Sequence, residues 1–323
     1  MKRIGVLTSG GDAPGMNACI RAVVRQAIAR GVQPLGIRRG YEGLIDGEII
    51  PMTARGVGGI MQTGGTILLT ARSERFLYPA VRKQCVQDIR DLGMDGLVVI
   101  GGNGSFRGAL ELSHLGLPVM GVPGSIDNDL AGTDMAIGVD TCLNTILDAV
   151  DKIKDTAGSL QRPFIIEVMG RECGYLATQS GLAGGAELVV TPEASLTLEQ
   201  IGESLEEAYR RGKPMFIAIV AEGAQHDAQE IYQYLKEHHP GGTGGPRLTI
   251  LGHIQRGGRP TAFDRVLATR LGVASVNALL DGHHSHMVGL CGGDVRISPL
   301  AETISCSLEF DPELNEMASA LSM

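Results

Sequence analysis

The 323-residue chain has no tryptophan and no Cys-x-x-Cys pair. Its six cysteines (19, 85, 142, 173, 291 and 306) lie far apart. This excludes a small disulfide scaffold and a paired-thiol motif, and reads as reduced thiols in the cytosol. Basic residues are few: 28 Lys and Arg face 36 Asp and Glu, for a net charge of −8. A nucleic-acid binder usually carries a basic footprint, so none is expected as a partner; local basic pockets remain compatible. No apolar run approaches a membrane span, so no membrane association is expected. Met1-Lys2-Arg3-Ile4 enters a strand pattern at once, leaving no room for a signal peptide, and a cytoplasmic setting is expected. A P-loop and a Gly-x-Gly-x-x-Gly fingerprint are also missing. Glycine is plentiful at 46 residues, but it comes as doublets that mark loops rather than a repeat.

Short β-rich runs alternate with helical patterns. Residues 4–8, 97–100, 118–122, 164–169, 188–191, 215–221 and 247–251 read as strands. Helices are predicted over 18–30, from about 106, over 139–154, 198–211 and 261–280, with 308–323 as a terminal helix. Strands alternating with helices predict α/β architecture with parallel, doubly wound sheets, and the length suits one large or two medium domains. The first sheet would take roughly residues 1–138. No long polar linker follows it; residues 239–246 form only a short Pro/Gly loop.

Pro123-Gly124-Ser125-Ile126-Asp127-Asn128-Asp129 places two carboxylates two residues apart, on a tight loop closing a strand. Open α/β sheets bind ligands at that edge. Such a pair can take a proton from a hydroxyl or hold a divalent cation, and both tasks belong to phosphoryl transfer. The same residues also suit a plain Asx-rich turn. Thr8-Ser9-Gly10-Gly11-Asp12-Ala13-Pro14-Gly15-Met16-Asn17 and Gly101-Gly102-Asn103-Gly104-Ser105 run from strand to helix. Each can cradle an anion at a helix N-terminus, or be a simple turn. Together the three loops outline a nucleotide and metal site. Arg72 lies in Thr70-Ala71-Arg72-Ser73, Arg171 and Arg256 lie beside glycines, and Arg162 and Arg247 at the heads of strands; guanidinium at strand ends beside glycines suits bidentate phosphate capture.

These runs, with Gly64-Gly65-Thr66, residues 166–171, residues 180–187, Ala221-Glu222-Gly223 and residues 251–264, resemble the bacterial ATP-dependent 6-phosphofructokinases (the phosphofructokinase A family). The similarity covers nearly the whole chain and weakens after about Gly282. It implies two Rossmann-like three-layer domains of mostly parallel sheet, with the active site in the cleft between them. The larger, ATP-binding domain would take 1–138 and about 256–305; the smaller, sugar-phosphate domain 139–255 and about 306–323. The implied reaction moves a phosphoryl group from ATP, with Mg²⁺, to O1 of fructose 6-phosphate, the committed step of glycolysis. A homotetramer under allosteric control is implied as well.

The resemblance assigns Asp127 as general base and Asp129 and Ser125 as groups ordering the hydroxyl. Gly11, Tyr41, Arg72, Ser73, Gly102, Asn103, Gly104, Ser105 and Gly108 would line the ATP site. Arg171 and Arg72 would offset charge on the transferring group. Met169, Gly170, Glu222, His253 and Arg256 would hold the sugar phosphate, and Arg162 and Arg247 would reach its 6-phosphate from a neighbouring subunit. Arg21, Arg25, Arg55, Lys154, Gly185, Glu187, Arg211 and Lys213 match an ADP/phosphoenolpyruvate effector site shared between subunits, with Glu187 facing the effector's metal.

The chain departs from the family pattern at several positions. Asn103 stands where the family has an Asp serving nucleotide-bound Mg²⁺, which makes it a weakened ligand. Leu77 replaces a frequent basic residue, with Arg75 nearby in sequence. Glu172-Cys173 replaces His-Ala, Lys154 replaces Arg, and Gly59 replaces Asp. Pyrophosphate-using relatives carry Asp at the Gly104 position and Lys at the Gly124 position; glycine at both favours ATP. A catalytically weak nucleotide and sugar-phosphate sensor is the second reading, resting on Asn103. A pyrophosphate-dependent enzyme is the third.

Overall fold

The structure is a computed structural model that describes residues 1–239 and 245–305, together with 313 and 317. The expected terminal helix, the assignment of 306–323 to a domain, and most of the 239–246 loop fall outside those residues. The strands are, in chain order, β1 (Arg3–Thr8), β2 (Gln33–Ile37), β3 (Ile49–Pro51), β4 (Gly96–Gly101), β5 (Val119–Pro123), β6 (Pro163–Val168), β7 (Leu188–Val190), β8 (Phe216–Ala221), β9 (Arg247–Ile250), β10 (His286–Cys291) and β11 (Asp294–Pro299). The helices are α1 (Met16–Ala29), α2 (Gly40–Asp46), α3 (Pro79–Asp91), α4 (Asn103–His114), α5 (Val139–Leu160), α6 (Tyr175–Gly184), α7 (Leu198–Arg210), α8 (Ala228–His238), α9 (Ala262–Leu280) and α10 (Leu300–Ser305).

The chain divides into two units. Among the described residues, one holds Met1–Thr141 and residues 256–305; the other holds Cys142–Gln255. The first unit is built on a sheet of order β11-β10-β5-β4-β1-β2-β3. Its central strands pair in parallel, and only the margins β3 and β11 run antiparallel. β4 is buried along its whole length, as befits a parallel strand covered on both faces. Helices α1 and α9 pack together on one face, and α3, α4 and α10 on the other. From β1 the chain first adds β2 on one side, then β4 on the other. The switch point therefore falls between the carboxyl ends of β1 and β4, the edge where such sheets take ligands.

The second unit is built on a fully parallel sheet of order β7-β8-β6-β9. Its core joins β6 and β8 to the apolar faces of α7 and α8 through Ile165, Phe216, Val220, Ile201, Leu205 and Ile231. Thr197 and Gln200 form a capping box that starts α7, and Asp227 caps α8, the side chains satisfying amides that a helix start leaves open. Among the described residues no helix is long and apolar enough to cross a membrane.

Two helix starts differ from the sequence expectation. Gly15, at φ 108°, precedes α1, which begins at Met16. Gly102 is extended and caps α4, whose first turn is Asn103-Gly104-Ser105 rather than a loop; the Phe106 amide already donates to the Gly102 carbonyl at 3.1 Å. α5 runs on to Leu160.

Candidate active site

In the first unit, three loops leave the carboxyl ends of β1, β4 and β5, at one edge of the sheet. The Asp loop is fixed by backbone bonds: Gly124 N–H to the Gly101 carbonyl at 3.0 Å, Ser125 N–H to Ile137 and Ile137 N–H to Pro123. Asn128 lies at φ 51°, and its side chain accepts from the Ala136 amide at 2.9 Å and donates to the Asp134 carbonyl at 3.1 Å. The Asx turn allowed by the sequence is therefore not what Asn128 makes: its bonds run six and eight residues on and tie the loop to residues 134–136. Asp127 is 1 % exposed, and its amide donates to Ser125 Oγ at 3.2 Å. Asp129, half-buried, accepts from Asn103 Nδ2 at its carboxylate (3.1 Å) and its carbonyl (3.2 Å).

The nucleotide-side residues divide into lining and support. The Arg256 guanidinium lies over Gly11, where an added Cβ would stand 2.0 Å from Nη1. Gly104 faces open space, and a Cβ at Gly102 would meet only Ser125, at 3.8 Å. Gly108 is instead packed: a Cβ there would come within 2.8 Å of the Tyr41 ring. Tyr41 is buried, stacked on Phe76 with ring centroids 4.1 Å apart, and its hydroxyl donates to the Ser105 carbonyl. Burial pushes its phenol far above the ordinary range. Tyr41 thus supports the first turn of α4 from beneath. Arg72 is exposed, and the Ser73 hydroxyl accepts from the Phe76 amide at 3.2 Å. Arg75 is committed to Glu42 and Asp46, so it does not stand in for a base at Leu77, which is 73 % exposed.

Three polar residues that set this geometry were not singled out from sequence. Asn17, buried, donates to Thr63 and Gly64 and accepts from the Ile67 amide. That holds the Gly64-Gly65-Thr66 turn, where a Cβ on Gly64 would sit 2.3 Å from the Gly258 carbonyl. Asp264 is fully buried and accepts from the Gly138 amide, the Thr141 amide and the Thr141 hydroxyl. Burial raises its pKa against the opposing pull of those bonds. Asn128 is the third. Their common signal was a polar residue inside or beside a named motif; their partners lie too far along the chain to be seen.

In the second unit, Met169-Gly170-Arg171 leaves the carboxyl end of β6 and Glu222-Gly223 that of β8. One Glu222 oxygen accepts from the amides of Gly170 (3.2 Å) and Arg171 (2.8 Å). Buried Gln255 accepts from the Met169 amide at 3.1 Å. His253 is exposed on the short turn Gly252–Arg256, beyond β9. Arg162 and Arg247 are at the other end of the same sheet: Arg162 precedes β6, and Arg247 opens β9 in register with Phe164. Six residues of β6, at about 3.3 Å each, put roughly 20 Å between the two sets.

The effector set is split between the units, with Arg21, Arg25 and Arg55 in the first. In the second, Lys154 donates to the Gly184 carbonyl at 2.7 Å, and Lys213 meets Glu187 at 3.1 Å. The other Glu187 oxygen accepts from the Ile217 amide, so a metal at Glu187 would compete with Lys213. Arg211 faces Glu207 at 3.9 Å.

The donor set around Asp127 suits Mg²⁺. Asn103 Oδ1 is buried with no hydrogen-bond partner. No group of three or more His, Cys, Asp or Glu gathers as a metal cage among the described residues. Mg²⁺ keeps waters and substrate phosphates and takes one or two protein oxygens, which is what this edge offers.

The phosphofructokinase family model matches residues 3–279. The chain is 52% identical over 325 residues to the ATP-dependent 6-phosphofructokinase 1 of Thermus thermophilus, and 51% identical over 323 residues to the ATP-dependent 6-phosphofructokinase of Clostridium acetobutylicum, covering 100% of both chains in each pair. The similarity therefore continues past Gly282. The fold is similar to that of Saccharomyces cerevisiae phosphofructokinase, with a TM-score of 0.88 and 34% identity; all of this chain matches 48% of the yeast one. A pyrophosphate-dependent phosphofructokinase of Marinobacter aquaeolei, 22% identical with a TM-score of 0.87 over 97% of this chain and 86% of its own, shares the fold. Three loops at one sheet edge, a buried Asp127 among them, the family model over residues 3–279 and full-length identity of about half together make this chain a member of the phosphofructokinase family.

Proposed function

We propose that this chain is an ATP-dependent 6-phosphofructokinase, transferring the γ-phosphoryl group of ATP to O1 of fructose 6-phosphate to give fructose 1,6-bisphosphate and ADP. The observation that carries this is Asp127, buried on the loop that ends β5, at the edge where the β1 and β4 glycine loops also open. A carboxylate there takes the proton of the sugar hydroxyl as O1 attacks phosphorus. Ser125 and Asp129 orient that hydroxyl. Gly11, Gly102, Gly104 and Ser105 accommodate the nucleotide, with Tyr41 and Gly108 fixing α4 behind them. Arg72 and Arg171 offset charge on the transferring group. Asn103 and Asp127 would hold Mg²⁺ together with the nucleotide phosphates, whose charge it would neutralise. Met169, Gly170, Glu222, His253 and Arg256 hold the sugar phosphate.

Arg162 and Arg247 stand roughly 20 Å from Arg171 along β6, too far for one chain to close all of them on one sugar phosphate. This supports a homo-oligomer, a tetramer by family resemblance, in which each subunit lends these two arginines to a neighbour. The same resemblance supports ADP or phosphoenolpyruvate control through Lys154, Gly185, Glu187, Arg211, Lys213, Arg21, Arg25 and Arg55, action in glycolysis, and a cytoplasmic site. Gly104, open on its α-carbon side, leaves room that an Asp would occupy, which supports ATP over pyrophosphate.

The deciding experiment is the rate of fructose 1,6-bisphosphate formation with ATP or pyrophosphate in Mg²⁺ buffer, on protein whose mass shows Asn103 intact. Turnover with ATP alone is expected. Binding of both substrates without turnover would place the chain among sensors.

A further inference from the structure

We infer that Asn103 is a positioning residue for Asp129, and that it makes the Asp loop independent of metal for its order. The inference builds on the kinase reading for the role of Asp129, while the tether itself stands on geometry. Asn103 is the first residue of α4, whereas Asp129 lies 26 positions on, in the loop after β5. The Asn103 Nδ2 group donates to the Asp129 carboxylate at 3.1 Å and to its carbonyl at 3.2 Å. With two acceptors on that side, only the NH₂ end of the amide fits there. The opposite end, Oδ1, is buried without a partner, which fixes the cost of the arrangement and leaves one neutral oxygen for a cation.

An aspartate at 103 has no proton to give. It would set a carboxylate about 3 Å from the Asp129 carboxylate and carbonyl, and like charges at that distance repel unless a cation lies between them. The amide therefore does two things that an acid cannot. It ties the nucleotide-side helix to the catalytic loop, and it does so before any metal arrives. A second tether works on the same loop one residue earlier, through Asn128 to Ala136 and Asp134. The loop is thus held just after Asp127, at positions 128 and 129, by two asparagine amides.

The test uses the full-length protein and two readouts. Thermal unfolding without nucleotide, in EDTA and in millimolar Mg²⁺, compares wild type with Asn103→Asp. The wild-type midpoint should move by less than about 1 °C on adding Mg²⁺. The variant should melt roughly 1–2 °C lower in EDTA, the size of shift that loss of one tether gives in a chain this long, and should recover with Mg²⁺. A variant whose midpoint in EDTA equals wild type, and which gains nothing from Mg²⁺, overturns the tether. A double-mutant cycle then reads kcat. Asn103→Ala should cost about tenfold in the Asp129 background and nothing further in Asp129→Ala; equal losses in both backgrounds overturn the positioning role. If the wild type turns over no substrate at all, the kinase reading fails, and the melting experiment still decides the tether.

Discussion

The carbonyl oxygen of Arg171 occupies the place where any side chain on Gly223 would begin: a Cβ there would stand 1.9 Å from it. Arg171 itself is at φ 53°, and its amide is held by Glu222. β8 therefore sets the aim of Arg171 through a missing side chain and one carboxylate. Gly223→Ala must push the backbone at 171 aside. We expect at least a tenfold loss of kcat and a lower melting temperature, while Arg171→Ala should lose kcat with its melting temperature kept. Wild-type kcat in Gly223→Ala would refute this account.

Asp127→Asn removes the proton acceptor and keeps the shape of the loop. The expected loss in kcat is about 10²–10⁴-fold, the usual weight of a general base, with the KM for fructose 6-phosphate within a few-fold of wild type. Parallel assays of Asp127→Asn and Ser125→Ala separate proton removal from hydroxyl placement, the latter expected to cost far less.

Donor choice is testable at Gly104. An added side chain meets nothing within 4 Å there, so Gly104→Asp should fold with an unchanged melting temperature. Its carboxylate would enter the space left for the nucleotide and repel the phosphates. Loss of ATP turnover by two orders of magnitude or more at fixed ATP is the expected outcome, measured beside binding of the nucleotide by calorimetry. Undiminished turnover would show that this space is not where ATP lies.

The segment carrying Arg72 and Ser73 is anchored by Arg75 to Glu42 and Asp46, with Arg39 joining Asp46 and Glu48. All three carboxyls are held below the usual range: Glu42 by the Ser73 hydroxyl and then Arg75, Asp46 by Arg75, and Glu48 by Arg39. A depressed folded-state pKa contributes order above the ordinary carboxylate range, near pH 4, and loses it as pH falls through the lowered values. Hydrogen exchange of residues 75–78 should therefore be flat from pH 7 to about pH 5, once corrected for intrinsic rates, and should accelerate below pH 4. High salt should speed it at neutral pH, because these pairs are exposed and screened. Arg75→Ala should remove both dependences.

Sequence was most legible where chemistry and local pattern coincided. The strands β1, β4, β5, β6 and β8 are apolar runs ended by turn residues, and Asp127 and Asp129 follow one of them directly. α3 was missed because only Cys85, Val86 and Ile89 are buried on an otherwise polar helix. β3 has only three residues, and β11 is a mostly exposed margin that pairing with β10 decides rather than apolar content; β2 and the buried run of β10 were legible in principle and were not read. The α4 start was set three residues late, since an Asn-Gly pair reads as a turn while Gly102 in fact caps a helix. Asp264 was invisible for another reason: its partners Gly138 and Thr141 lie more than 120 positions away, and only the fold makes it a buried three-way acceptor.

β6 is a spacer of fixed length, six residues long, with an arginine beyond each end. In the proposed assembly, the arginine before it serves one sugar and the arginine after it serves another. A chain crippled at Arg162 would then keep its own chemistry while disabling a neighbour's, and a chain crippled at Asp127 would do the reverse. Mixed populations of the two defects should regain a fraction of sound sites that neither pure population has, so in that assembly selection would act on the pair of copies rather than the chain.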